Sequence, residues 1–163
     1  MSKGYTLIEI LVGLTIVSLL FSSGYVSFRD FSRRQAVSGI AKNIQGDLRL
    51  AQQAALAGQK PAGDPLCTDP NVLNSYSFKV YSPTQYKIEA NCSGPVTSSD
   101  IVVKEINLSS DVVLSTPSPN PIEFKILGQG NNIPGGLSVI LTLTQTATGN
   151  QASITITSGG EIK

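Results

Sequence analysis

Residues 4 to 10 read GYTLIEI and open the stretch that decides the fold. Residues 10 to 28 contain no charged side chain, and a helix of that length spans about 28 Å, close to the apolar thickness of a bilayer. An acidic side chain within such a helix costs roughly 3 kcal/mol on insertion scales. We therefore expect Glu9 to have a partner that offsets this cost.

Composition limits the classes of function. The chain has 163 residues, with 14% charged residues, a net charge of +1 and no His. This length suits one domain plus an appendage, and the even charge balance gives no indication of nucleic acid or an acidic partner. Without His, His-based catalytic triads and His metal sites are excluded. The glycine turns lack a phosphate-loop GK[ST], so the sequence predicts no enzyme, cofactor or metal.

The N-terminal segment differs from a conventional secretory signal. Its basic start is only Lys3, its apolar run exceeds the usual 7–15 residues, and no small-residue cleavage site follows it. An uncleaved single-pass anchor remains an alternative. Arg33 and Arg34 follow the apolar run and oppose the positive-inside preference if the N-terminus is cytoplasmic, so charge alone does not set the orientation.

The octapeptide KGYTLIEI at residues 3 to 10 resembles the class III signal of type IV prepilins and type II secretion pseudopilins. The resemblance implies a leader at residues 1–4, which prepilin peptidase removes on the cytoplasmic side. Cleavage would fall between Gly4 and Tyr5, and the same enzyme would methylate the new N-terminus at Tyr5. The usual residue there is Phe, and Tyr keeps the aromatic ring. Residues 5–28 would form the transmembrane helix and later the filament core.

The same resemblance implies a role for Glu9 in assembly. In pilins the glutamate at this position is thought to meet the N-terminal amine of a neighbouring subunit. Such a partner is needed because a carboxylate buried among packed helices requires a compensating charge or hydrogen bonds. The alternative is that Glu9 snorkels to the lipid headgroups near the helix end. Pairing with a neighbouring subunit and snorkelling are compatible, because each can hold at a different stage.

The helix is expected to continue through residues 29–58 as an amphipathic segment. Apolar side chains recur three or four residues apart and form one stripe that would pack on a sheet: Val37, Ile40, Ala41, Ile44, Leu48, Ala51 and Ala55. The charged residues of this segment, Asp47 among them, are placed mostly off the stripe. Gly58 followed by Pro61 predicts the end of the helix.

Residues 59–163 read as a β-rich globular head. Period-two alternation and turn residues predict strands at residues 76–81, 85–90, 101–108, 112–115, 122–127, 137–144 and 152–157, with a hairpin at residues 82–84. The fold class is therefore α+β, a long N-terminal helix packed on an antiparallel β domain. Residues 122–130 and 153–162 resemble the C-terminal half of GspH/FimT-type minor pilins and pseudopilins, which implies the pilin fold.

The two cysteines, Cys67 and Cys92, both lie outside the apolar segment, on the side that would face the periplasm or the exterior, where disulfides persist. A bridge between them would add roughly 3 kcal/mol in the entropy model. Two free, buried thiols are the alternative. Two cysteines without His make a poor zinc site.

Together these observations predict a structural subunit, a minor pilin or pseudopilin anchored in the inner membrane with its N-terminus cytoplasmic and its head outside. The implied partners are other pilin subunits, prepilin peptidase and an inner-membrane assembly platform. One alternative is a membrane-anchored β domain that never polymerises. Another is DNA uptake, as in some FimT-like minor pilins. DNA capture needs clustered basic residues, and after residue 90 only Lys104, Lys125 and Lys163 are available.

Overall fold

The computed structural model describes residues 4–62, 65–94 and 98–163, without the side chains of residues 22–27, 65, 98 and 99. One continuous helix, α1, is followed by seven strands. Their bounds are α1 Leu7–Leu56, β1 Val72–Ser82, β2 Gln85–Ser93, β3 Ser98–Asn107, β4 Val112–Leu114, β5 Ile122–Lys125, β6 Ser138–Gln145 and β7 Gln151–Thr157. The helix packed on antiparallel strands is the predicted α+β pilin fold.

Helix α1 ends where the sequence predicts an end. Gly58 takes a φ of +60°, a left-handed conformation that glycine adopts without strain. The Gly58 N–H donates to the Ala55 carbonyl, and the Gln59 N–H donates to the Ala54 carbonyl, each over 3.0 Å. This pair of bonds is a Schellman motif, which satisfies carbonyls that the helix leaves unpaired.

The amphipathic stripe packs on the strands as predicted. Helix α1 contacts β1, β5, β6 and β7, so its second half forms a core with both sheets. The buried stripe residues are spaced by three or four positions: Val37, Ala41, Ile44, Leu48, Ala51 and Ala55. The placement of Asp47 off this stripe was wrong. Its side chain is buried against the head, because it has polar partners there.

The strands form two antiparallel sheets. The first has the order β3-β2-β1-β5 and the second the order β4-β6-β7. In the first sheet Tyr76 faces Ala90 and Phe78 faces Ile88, which places the apolar residues of β1 and β2 on one face. That face meets the helix stripe and the buried face of the second sheet in one continuous core.

All seven predicted strands are present, but several of their ends differ from the prediction. Strand β1 begins at Val72 rather than at residue 76, β2 extends to Ser93 rather than to residue 90, and β3 begins at Ser98 rather than at residue 101. The strand predicted at residues 122–127 stops at Lys125, and residues Ile126–Gly128 form a 3₁₀ turn. Leu127 has a φ of +53° there, which is incompatible with a strand. A second short 3₁₀ helix, Pro65–Cys67, was not predicted.

Among the described residues, no helix combines the length and the mean hydropathy of a membrane span.

Candidate processing and assembly site

The N-terminal end of α1 is capped by a side chain. Thr6 has extended backbone, with φ −79° and ψ 152°, and its Oγ1 accepts a 3.4 Å hydrogen bond from the Glu9 N–H. Its carbonyl also accepts from the N–H groups of Glu9 and Ile10, over 3.1 and 3.3 Å. The helix therefore begins at Leu7. This cap was missed from the sequence, although Thr6 and Glu9 have the S/T-x-x-E spacing that signals it.

Glu9 is in the first turn of α1 and is exposed. The positive end of the helix dipole stabilises a carboxylate there by a few tenths of a kcal/mol, to about 1 kcal/mol. Within the described residues its side chain has no ion pair and no hydrogen bond. The partner that the sequence predicts for Glu9 is therefore not found among the described residues of its own chain.

Gly4 and Tyr5, the residues of the predicted cleavage site, precede the helix and are exposed. A Cβ added to Gly4 meets no atom within 4 Å, so packing against the described residues does not require a glycine here. Residues 1–3 of the predicted leader lie outside the described residues. Accordingly, the peptide bond between Gly4 and Tyr5 lies in irregular backbone, two residues before the first helical residue.

The start of α1, residues 7–21, has apolar side chains on every side of the helix. From Leu7 to Phe21 all side chains are exposed, so none is covered by the head. The Thr15 hydroxyl donates to the Val12 carbonyl and the Ser18 hydroxyl to the Leu14 carbonyl, both over 2.8 Å. These bonds satisfy the two hydroxyls within the helix. A helix that is hydrophobic all round is typical of a buried or membrane setting.

A partly buried polar cluster joins the second half of α1 to the first sheet. The Asp47 side chain accepts a 2.8 Å hydrogen bond from the Tyr86 hydroxyl on β2 and a 2.6 Å bond from the Lys104 ammonium on β3. Burial and the bond to Asp47 raise the pKa of Tyr86 well above its ordinary value. Because Asp47 has two donors from two strands, the cluster fixes the position of the helix on the sheet.

The C-terminal residues pack against the same helix. The Gln52 side-chain amide donates a 2.8 Å hydrogen bond to the Gly160 carbonyl, and the Arg49 guanidinium donates a 3.2 Å bond to the Ile162 carbonyl. Gly160 has a φ of +84°, and a Cβ there would lie 2.7 Å from the Gln52 amide nitrogen. The positive φ favours glycine at this position, and a Cβ would also have to displace the end of the Gln52 side chain from its hydrogen bond.

Cys67 and Cys92 are joined in a disulfide, with their Cα atoms 5.4 Å apart. The bond connects the 3₁₀ helix Pro65–Cys67 to β2, and both cysteines are buried. The predicted pairing is confirmed, and the alternative of two free thiols is wrong.

The three lysines considered for DNA capture have different surroundings. Lys104 is paired with Asp47, and Lys163 lies 3.1 Å from the Glu161 carboxylate. Lys125 has no ion pair within the described part of the chain. Two of the three cations are therefore neutralised within the protein, which weakens an electrostatic surface for DNA. Among the described residues, no three acidic, Cys or His side chains are grouped as metal ligands.

Comparison with models of protein families identifies the family of the chain. A model of the prokaryotic N-terminal methylation motif matches residues 1–25. A model described as type II transport protein GspH matches residues 41–160, well over half of the chain. The chain belongs to the GspH family. Neither the comparison with curated proteins nor the comparison with solved structures gives a match.

Membership of the GspH family, together with the methylation motif, makes the chain a pilin-like or pseudopilin-like structural subunit. The family implies anchoring at the inner membrane, processing by prepilin peptidase and assembly with other subunits of the same class. In this GspH-family chain the methylation motif covers the capped start of α1, and the GspH match runs from Ala41 in α1 to Gly160 in the head.

Proposed function

We propose that the chain is a minor pilin or pseudopilin that prepilin peptidase cleaves between Gly4 and Tyr5 and methylates on Tyr5. Residues 5–28 then hold it in the inner membrane as a single pass, with the N-terminus cytoplasmic and the head outside. An inner-membrane assembly platform extracts the subunit into a type II secretion pseudopilus or a type IV pilus.

The observation that carries this proposal is the uncovered apolar start of α1, residues 7–21. Its side chains from Leu7 to Phe21 are exposed on all sides of the helix, so water would have to solvate a large apolar surface. At about 25 cal/mol per Å² of apolar surface, that exposure is strongly unfavourable. Lipid before assembly, and the helices of neighbouring subunits after it, both supply the missing cover.

Glu9 supports assembly over a plain anchor. Its carboxylate has no side-chain partner among the described residues of its own chain, and an anchor gains nothing from an acidic residue within an apolar helix. Cleavage after Gly4 produces an amine four residues before Glu9 in every subunit. The Tyr5 amine of one subunit can then meet Glu9 of the next, and this charge pairing would set the register between neighbouring helices.

The test is Glu9→Val in a strain that assembles the filament, with Thr15→Val as the matched control. Both variants place valine in the same apolar helix, but the Thr15 hydroxyl bonds only to its own helix. We expect Glu9→Val to remain in the membrane fraction, processed, while at least tenfold less of it enters the sheared or secreted filament fraction. Thr15→Val should assemble normally. Normal assembly of Glu9→Val would contradict the proposed role of Glu9 in assembly. Absence of the wild-type chain itself from the filament fraction would instead favour an anchored β domain that does not polymerise.

A further inference from the structure

We propose that Thr6 is a positioning residue for leader cleavage, because it fixes the start of α1 and holds the Gly4–Tyr5 peptide outside the helix. This inference rests on the proposed processing at that bond. The Thr6 hydroxyl accepts from the Glu9 N–H, and the Thr6 backbone is extended. These two features set Leu7 as the first helical residue.

A defined helix start matters for a peptidase substrate. Backbone N–H and C=O groups inside a helix bond to each other, so a peptide bond there is not available to an enzyme until the turn unwinds. Residues before an N-cap keep these groups free. With the cap at Thr6, the scissile bond lies outside the helix at a constant distance from the membrane segment.

Gly4 also helps to keep the Gly4–Tyr5 peptide bond outside the helix. Gly4 is a poor helix former, so it disfavours growth of the helix toward the N-terminus. No close contact with the described residues requires a glycine there, because a Cβ would meet no atom within 4 Å. Thr6 stops the helix on one side of the bond, and Gly4 disfavours it on the other.

A direct contact between the peptidase and the Thr6 side chain predicts a different pattern of variants. A capping role depends on a side-chain oxygen that reaches the N–H of the third helical residue, which Ser, Asn and Asp all supply. Direct recognition depends on the shape of threonine, which valine reproduces and asparagine does not. The two explanations therefore rank the same variants in different orders.

The experiment measures kcat/KM for cleavage of the full-length chain in lipid vesicles by purified prepilin peptidase. The variants are Thr6→Ser, Thr6→Asn, Thr6→Val and Thr6→Ala. We expect Ser and Asn to stay within about twofold of the wild type, and Val and Ala to fall about fivefold, the size expected from a lost cap. Backbone carbon chemical shifts of labelled Gly4, Tyr5 and residue 6 should change in the Val and Ala variants and not in Ser or Asn.

Two results would overturn the inference. One is normal cleavage of Thr6→Ala and Thr6→Val, and the other is normal cleavage of Thr6→Val together with slow cleavage of Thr6→Asn. A wild-type chain that an active peptidase does not cleave at all would instead refute the proposed processing itself. The wild-type reaction thus separates failure of the function from failure of the role of Thr6.

Discussion

The Tyr86 hydroxyl donates a 2.8 Å hydrogen bond to the Asp47 carboxylate, and this bond is buried between helix α1 and strand β2. The two residues are 39 positions apart in the sequence, so the bond forms only when the helix lies on the sheet. A buried carboxylate is costly unless it is paired, and here Lys104 supplies the charge from the partly exposed edge of the sheet. The long helix is therefore held to the head by a specific polar contact as well as by its apolar stripe.

Asp47→Ala should destabilise the head by about 2 kcal/mol, because it leaves the buried Tyr86 hydroxyl without an acceptor. Lys104→Ala should cost less, since the lysine side chain is partly exposed and Tyr86 keeps its bond. Urea unfolding of the detergent-solubilised full chain, followed by circular dichroism, measures both. Equal losses in the two variants would show that the Tyr86–Asp47 bond adds no stability beyond the ion pair.

Stability should fall as the pH rises above 10. The pKa of Tyr86 is raised above its ordinary value of 10.0, first by burial and then by the bond to Asp47. The unfolded chain therefore releases this proton at a lower pH than the folded chain does, and the folded state loses stability as the pH rises above 10. Tyr86→Phe should be less stable at neutral pH and should show a shallower loss between pH 9 and 11. An unchanged slope would mean that Tyr86 ionises no later in the folded chain.

Removing the disulfide should destabilise the head by about 3 kcal/mol, because the bridge constrains a long loop of the unfolded chain. Cys67 and Cys92 are 25 positions apart, which places this loop in the range where the effect is substantial. The variant is Cys67→Ala/Cys92→Ala, compared with the wild type in urea with and without a reducing agent. Reductant should lower the wild-type midpoint and leave the double variant unchanged. A wild-type midpoint that does not respond to reduction would argue against the bridge.

Gly160→Ala should destabilise the chain more than Gly130→Ala. Both glycines have a positive φ, +84° and +87°, so both alanines carry the same backbone strain of roughly 1 kcal/mol. Only at Gly160 would the new Cβ approach the Gln52 amide, at 2.7 Å, whereas nothing lies within 4 Å at Gly130. We expect an additional loss of about 1 kcal/mol from the displaced Gln52 bond. In a Gln52→Ala background the difference between the two alanine variants should disappear.

Periodicity and turn residues were sufficient to predict most of the fold. The spacing of Ile44, Leu48 and Ala51 identifies the buried stripe because a helix repeats its faces every 3.6 residues. Gly58 marks the helix end through its preference for positive φ. These signals are local in sequence, so they can be interpreted without knowledge of the tertiary structure.

Signals that depend on distant partners were not predictable. Asp47 reads as a solvent-facing charge until Tyr86 and Lys104 are known to lie beside it. Glu89 is similar. Strand alternation places it on the outer face of β2, but its side chain is buried and accepts a 2.5 Å hydrogen bond from the Tyr81 hydroxyl. Division of the strands into two sheets also depends on non-local pairing, for which residue patterns carry little information.

The candidate site was predicted in part. The motif at residues 3–10 places the expected cleavage between Gly4 and Tyr5, and the family match at residues 1–25 covers the same segment. The cap at Thr6 was not predicted, although Thr6 and Glu9 have the spacing of a capping box. The partner of Glu9 could not be predicted from one chain, because in the proposed filament it belongs to another subunit.

The most direct test of the central claim is mass spectrometry of the N-terminal peptide, from membranes and from the sheared or secreted filament fraction of the same cells. The proposed function predicts a peptide that begins at N-methylated Tyr5 in both fractions. A chain that still begins at Met1 or Ser2, in cells with an active prepilin peptidase, would contradict processing at Gly4 and leave the apolar helix as a plain anchor.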